Sequence, residues 1–236
     1  MSDLAVSIPT EKGSNDSRNL CWSCRSEVRE EPLCPTCVKL QPLGRSSDYF
    51  SVMGVPRKLG LDPKVLEPVF HALSRRFHPD VYRMASPRER IIALENSALL
   101  NQAYRTLRDP FERTSYLVQL EQGRASEAAE SPPGALFEEI LEAQELLGEY
   151  KFGDEEEERA VLRARIEAQR DMFRSEQESR ARALTGRIFP DWDALQDQPQ
   201  ADPQRRAALL AEMSRLLGER SYLKRVLNSL DEALSH

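Results

Sequence analysis

The chain has 236 residues, 40% of them hydrophobic, 31% charged and only 7% aromatic, with a net charge of −6. Leu, Ala, Glu and Arg outnumber β-branched and aromatic residues, so an all-α fold of one to three small domains is favoured. No apolar run approaches the length of a membrane-spanning helix, and no strongly basic surface of the kind general nucleic-acid binding needs is in prospect.

Residues 1–19 are polar and aperiodic and are expected to be a disordered tail. They lack the apolar core of a signal peptide, and Asp3, Glu11 and Asp16 fit poorly with an acid-poor transit peptide. The expectation is a soluble cytoplasmic protein, with a processed mitochondrial form left open.

Residues 20–44 hold all four cysteines, Cys21, Cys24, Cys34 and Cys37, spaced C-x₂-C-x₉-C-x₂-C. Each C-x₂-C pair can reach one metal ion from a tight turn, and two pairs complete a closed tetrahedral thiolate site. The segment between them is too short for a core, so metal binding would supply much of its folding energy. Zinc leads, although rubredoxin-like iron uses the same ligands. A pair of disulfides is disfavoured in the cytoplasm, and no thioredoxin-like βαβ pattern supports a redox role. Four ligands leave no open position, so the site reads as structural.

Residues 45–122 read as a helical module. A short helix over Tyr49–Met53 precedes Gly54. Asp62-Pro63 opens a second helix, with an acid at the cap and proline at the first helical position. Its apolar stripe is Val65, Leu66, Val69, Phe70, Leu73 and Phe77. Pro79 disfavours helical geometry at His78 and ends it. Ser86-Pro87-Arg88-Glu89 forms a capping box for a third helix over 87–108, whose stripe is Leu100, Ala103, Tyr104 and Leu107. Facing stripes make an antiparallel hairpin with His78-Pro79-Asp80 at its tip. Lys64, His71, Arg75 and Arg76 lie largely off the stripe as a basic outer face. Asp109-Pro110 starts a further helix over 110–121. Residues 48–121 carry 11 Lys/Arg against 9 Asp/Glu, a net +2.

Residues 123–134 read as a linker. Residues 135–236 carry 15 Lys/Arg against 22 Asp/Glu, a net −7, and three helical patterns. Leu136, Ile140, Ala143, Leu147 and Tyr150 keep a 4-3 spacing. A second helix should run from the acidic start at Asp154 to about 188, with Leu162, Ile166 and Phe173 on its seam. A third, over 203–234, places Leu209, Met213, Leu216, Leu223, Leu227, Leu230 and Leu234 on a heptad seam broken only by Arg220. Three such seams predict a three-helix bundle. Phe137 and Leu141 sit one position off the first seam, beside Glu138, Glu142 and Glu145, and Tyr222 flanks Leu223. Acid-ringed apolar residues suit a partner surface, yet spacing alone favours the plainer alternative, a wide core stripe that buries them.

DYFSVMGV, a helix running into FHPD, and LNQAYRTLRDPFERTSYL together resemble a J domain over about a third of the chain. The resemblance implies that His78, Pro79 and Asp80 engage a DnaK-type chaperone ATPase and stimulate it, with Lys64, His71, Arg75 and Arg76 facing an acidic surface. Val81 departs from the basic residue many J domains carry after the tripeptide. With the linker and bundle added, the chain resembles the HscB-type co-chaperones of iron–sulfur cluster biogenesis, ALFEEILEAQELLGEY matching their first bundle helix and GERSYLKRVLNSLDEAL their last. That implies a non-enzymatic adaptor with an iron–sulfur scaffold protein bound at Phe137, Glu138, Leu141, Glu142, Glu145 and Tyr222. The fit is looser at Glu138 and Ile140. The cysteine quartet resembles that of mitochondrial members. A general J-domain co-chaperone with a spacer or dimerising bundle is the main alternative, and a cysteine-rich metal or redox protein is the third. A weak homodimer stays open; no nucleic-acid or membrane partner is expected.

Overall fold

The computed structural model describes residues 20–28, 31–43, 48–123, 133–152, 156–197 and 202–235. The expected tail falls outside them, as does most of the linker. Eight α-helices follow in order among the described residues: α1 (Tyr49–Met53), α2 (Pro63–Phe77), α3 (Pro87–Arg108), α4 (Pro110–Gln122), α5 (Phe137–Phe152), α6 (Glu156–Ala183), α7 (Phe189–Gln196) and α8 (Pro203–Leu234). The all-α reading holds, and no described helix is long and apolar enough to cross a membrane. The fold divides into two compact units, 1–57 with 61–109 and 58–60 with 110–236.

In the first unit, capping fixes where the helices begin. Asp48 accepts from the Ser51 amide, Asp62 from Lys64, and Ser86 exchanges hydrogen bonds with Glu89 in a complete capping box. Gly54 ends α1 at φ 63°, in the left-handed region that favours glycine. Helices α1 and α2 pack on α3, and Phe50, Met53, Leu66, Phe77, Leu100, Ala103 and Leu107 are buried. Phe70 and Tyr104 stack at 4.1 Å between centroids, so the two predicted stripes do face each other. Val65 is an exception: it is 62% exposed, because on the first turn of α2 it points away from α3. Within α2, Pro68 forgoes one helical hydrogen bond without ending the helix.

In the second unit α5, α6 and α8 pack pairwise around one core of Leu136, Ile140, Ala143, Leu146, Tyr150, Leu162, Ile166, Phe173, Leu223, Leu227 and Leu230. The seam of α5 passes through Leu146, with Leu147 only partly buried against it. The helix expected to reach 188 stops being α-helical at Ala183, passes through a π-helical turn over Leu184–Ile188 and continues as α7. That turn and α7 bury Leu184, Ile188, Phe189, Trp192 and Leu195. Helix α4 packs on α8 and so lies in this unit, where Arg220 fills the heptad gap by stacking 3.7 Å over Phe111.

Candidate functional site

At the tip of the first unit, His78 has left helical geometry (φ −61°, ψ 128°), as the residue before a proline should. Its Nδ1 accepts from the Asp80 amide at 3.3 Å and caps a single 3₁₀ turn over Pro79–Tyr82. The Tyr82 hydroxyl donates to the Arg76 carbonyl at 3.2 Å, pinning that turn to the end of α2. With Nδ1 engaged as an acceptor, Nε2 carries the proton of the neutral ring. The side chains of His78 and Asp80 are 55% and 68% exposed. Lys64, His71, Arg75 and Arg76 are all exposed on or beside α2's outer face, Arg75 and Arg76 in its last turn. His71 lies 3.7 Å from Glu67, one helical turn away, so the basic face includes one acid.

The second candidate surface lies on α5 and α8. Phe137 and Leu141 are 51% and 43% exposed, beside exposed Glu138, Glu142 and Glu145. Both lie outside the buried cluster of the bundle, where a wide core stripe would have placed them inside. Glu142 is held by Arg165 of α6 at 3.4 Å. Tyr222 is only partly open, its ring packing against the bundle core with Arg225 5.3 Å above it.

The four cysteines converge, all four sulfurs lying within 4.8 Å of one another. Two near-identical knuckles produce this. In each, the first cysteine's carbonyl accepts from the residue after the second cysteine (Arg25 to Cys21, 3.1 Å; Val38 to Cys34, 2.9 Å), and antiparallel bridges Leu20–Glu27 and Leu33–Leu40 close the turn. Arg25 and Val38 take φ values of 63° and 58° to do so. The Sγ–Sγ distances of 3.6 Å for Cys21–Cys37 and Cys24–Cys34 exceed a disulfide bond and approach the roughly 3.8 Å edge of a tetrahedron with 2.3 Å metal–sulfur bonds. Amides of Ser23 and Cys24 donate to Cys21 Sγ at 3.3 and 3.5 Å.

The thiols perturb one another. The Ser26 hydroxyl, working with amides of Cys37 and Thr36 against burial, brings Cys34 down to about 6. For Cys37 the Lys39 amide pulls downward, but burial and the other three thiols push it up to about 11. Burial raises Cys21, and the Cys24 and Ser23 amides together with the Cys37 and Cys24 thiols more than offset it. Crowded sulfurs that cannot all ionise together, with donors already aimed at them, suit a soft cation of charge +2. The donor set thus fits a tetrahedral thiolate metal site.

A buried polar network, invisible to the sequence reading, sits beside the quartet. Gln41 is 6% and Asn96 2% exposed. Gln41 donates through Nε2 to Cys21 Sγ at 3.4 Å, and its main-chain carbonyl accepts from Asn96 on α3 at 2.9 Å. Neither residue belongs to a short motif.

No protein-family profile matches the chain. It is similar to the iron–sulfur cluster co-chaperone protein HscB homolog of Arabidopsis thaliana, 33% identical over 129 residues covering 55% of this chain and 51% of that one. It is 35% identical to the co-chaperone protein HscB homolog of Bordetella avium over 133 residues, 55% of this chain and 77% of that one. A Vibrio cholerae HscB homolog is 43% identical over 74 residues, 43% of its length. The chain thus spans about half or less of the Arabidopsis and Vibrio relatives. Among solved structures, human co-chaperone HscB superposes with a TM-score of 0.65 at 24% identity, covering 91% of this chain and 98% of that one. Chaperone HscB from Vibrio cholerae gives 0.54 at 25%, covering 79% and 96%. Helical hairpin and three-helix bundle define an all-α fold shared with solved HscB structures. The chain belongs to the HscB co-chaperone family.

Proposed function

We propose that the chain is a two-ended adaptor that delivers an iron–sulfur scaffold protein to a DnaK-type chaperone and stimulates that chaperone's ATPase. Its own residues carry no bond-breaking chemistry. The observation that carries the proposal is the apolar pair Phe137 and Leu141, left half-exposed by a bundle whose core is complete without it. Half-exposed apolar anchors in an acidic rim have the make-up of a binding surface.

In this reading residues 45–122 are a J domain, 135–236 the scaffold-binding domain, 123–134 the linker and 20–44 a metal knuckle. The Nε2–H of His78 and the exposed carboxylate of Asp80 offer a donor and acceptors side by side to the ATPase. Pro79 fixes the backbone between them. Lys64, His71, Arg75 and Arg76 steer the encounter with an acidic partner surface. Phe137 and Leu141 anchor the scaffold, Tyr222 borders the contact, and Glu138, Glu142 and Glu145 select a partner with complementary charge. Cys21, Cys24, Cys34 and Cys37 hold zinc as a structural ion, which ties the two knuckles together.

The relatives' names support this reading, as they couple HscB with iron–sulfur clusters and with co-chaperone action. Calorimetric titration of the chain with an iron–sulfur scaffold, alongside steady-state ATP hydrolysis by a DnaK-type partner, tests it. Saturable scaffold binding and a further rise in hydrolysis when chain and scaffold are added together are expected. A chain that accelerates hydrolysis equally with and without scaffold, and binds none, would be a general co-chaperone instead.

A further inference from the structure

We infer that the cysteine knuckle is a metal-dependent brace for α3, the helix that follows His78-Pro79-Asp80, with Gln41 and Asn96 as the positioning residues that transmit it. The inference rests on the reading that the quartet holds a metal ion. It concerns what loading of that ion does elsewhere in the first unit.

Two connections run from the sulfurs to α3. The first passes through Gln41. Its Nε2 donates to Cys21 Sγ at 3.4 Å and to the Lys39 carbonyl at 2.8 Å, while its Oε1 accepts from the Trp22 amide at 3.4 Å. The reverse amide orientation would set Oε1 against a thiolate and a carbonyl, so the network admits one orientation. Asn96 then clamps the same segment from α3: Nδ2 donates to the Gln41 main-chain carbonyl at 2.9 Å, and Oδ1 accepts from the Leu43 amide at 2.8 Å. Both residues are buried, so losing one partner leaves the other's polar atoms desolvated and unmatched.

The second connection reaches the start of the helix. Lys39 follows Cys37 by two residues and extends Nζ to Glu89 at 2.8 Å. Glu89, 5% exposed, is the capping-box residue of α3, and the same oxygen accepts from the Ser86 hydroxyl at 2.9 Å. Trp22, between the first two cysteines, donates Nε1–H to the Leu40 carbonyl at 2.7 Å and lies 4.8 Å under the guanidinium of Arg88 on α3. Ser86 begins α3 only six residues after Asp80 (86 − 80), so what steadies the start of α3 steadies one anchor of the tripeptide turn.

Among the described residues the knuckle's own hydrophobic cluster is Cys21, Val28 and Cys34, with Cys37 packed against it. So small a core does not hold its shape unaided, and the ion would supply the rest. A metal-bound thiolate also accepts more strongly than a thiol, so loading tightens the Gln41 bond. Removing the ion loosens residues 20–28 and 31–43 and with them their partners on α3.

Hydrogen exchange on the full chain tests this, comparing one bound equivalent of Zn²⁺ with a chelated sample. Amides 90–96 of α3 should exchange about tenfold faster without metal, matching roughly two buried hydrogen bonds. Asn96→Ala should retain one equivalent of Co²⁺, seen by its thiolate absorption, yet lose the metal dependence to within about twofold. Gln41→Leu should lower Co²⁺ affinity about tenfold. If Asn96→Ala does not fold, the half-buried Lys39→Met arm replaces it and should raise exchange at the start of α3 with metal bound. Stoichiometric Co²⁺ binding with α3 exchange unchanged on metal removal would overturn the inference while leaving the metal reading intact. Failure to bind Co²⁺ at all would overturn the metal reading and the inference together.

Discussion

Replacing Phe137 and Leu141 by alanine together separates a partner surface from a core, and the exposures set the size of the effect. Fully burying a Leu or Phe side chain contributes about 1.5–3 kcal/mol. At 51% and 43% exposure each residue retains about half of that contact, so truncation costs about 1 kcal/mol apiece. Better helix propensity of alanine returns a few tenths. The double variant should therefore lose about 1–2 kcal/mol. Ile140 and Leu146, next to them on α5 but 2% and 1% exposed, provide the internal control: each alanine there should cost about 2–5 kcal/mol. Urea unfolding followed by helical circular dichroism reads both. Scaffold affinity, by calorimetry, should fall at least tenfold in the Phe137/Leu141 variant, as truncating interface anchors does. A double variant that unfolds as readily as Ile140→Ala would show that the two side chains are core, and the surface argument would collapse.

The knuckle's backbone gives a second expectation. Val38 holds φ 58° although β-branched, and its side chain is 68% exposed, so Val38→Gly should relieve strain of about 1 kcal/mol and raise metal affinity several-fold by chelator competition; reduced affinity would mean the turn is not strained. Burial raises the Glu89 carboxyl, but Lys39 and Ser86 outweigh it and hold it below the ordinary 4.5. A depressed folded value means the stabilisation is present above about pH 4.5 and is lost as pH falls through the folded value. Glu89→Gln should flatten that acid limb of the unfolding midpoint, and an unchanged slope would contradict the assignment. Phe70→Ala, which removes the 4.1 Å stack on Tyr104, should destabilise the first unit by about 2–4 kcal/mol in thermal unfolding; a loss under about 1 kcal/mol would mean the hairpin does not depend on it.

Helix starts were legible because each carries local chemistry: Asp62-Pro63, Ser86 with Glu89, and Asp202-Pro203 all cap their helices as the residues promise. The heptad seam of α8 was equally legible, since leucines and a methionine repeated at one spacing admit one buried face. Leu146 shows the limit. It neighbours Leu147, both fit a helical stripe, and a rotation of one residue, fixed by how α5 meets α6 and α8, decides which is buried. The π turn at Leu184–Ile188 was missed because Thr185 and Gly186 only weaken a helix and mark no change in its winding. Exposure of Phe137 and Leu141 depends on whether the other helices need them, which their own spacing does not encode. The tripeptide was readable because Pro79 acts on its immediate neighbour. The bonds of Asn96 to the 41–43 segment cross 55 and 53 residues and leave no local trace.

The most direct test of the two-ended adaptor is His78→Gln. Glutamine keeps a polar side chain on this exposed turn, so folding and the α5 surface of the other unit should be untouched. Steady-state ATP hydrolysis by a DnaK-type chaperone should then fall to its unstimulated rate, while calorimetry reports wild-type affinity for the iron–sulfur scaffold. Full stimulation by His78→Gln would contradict the account at its centre, and loss of scaffold binding in the same variant would contradict the separation of its two ends.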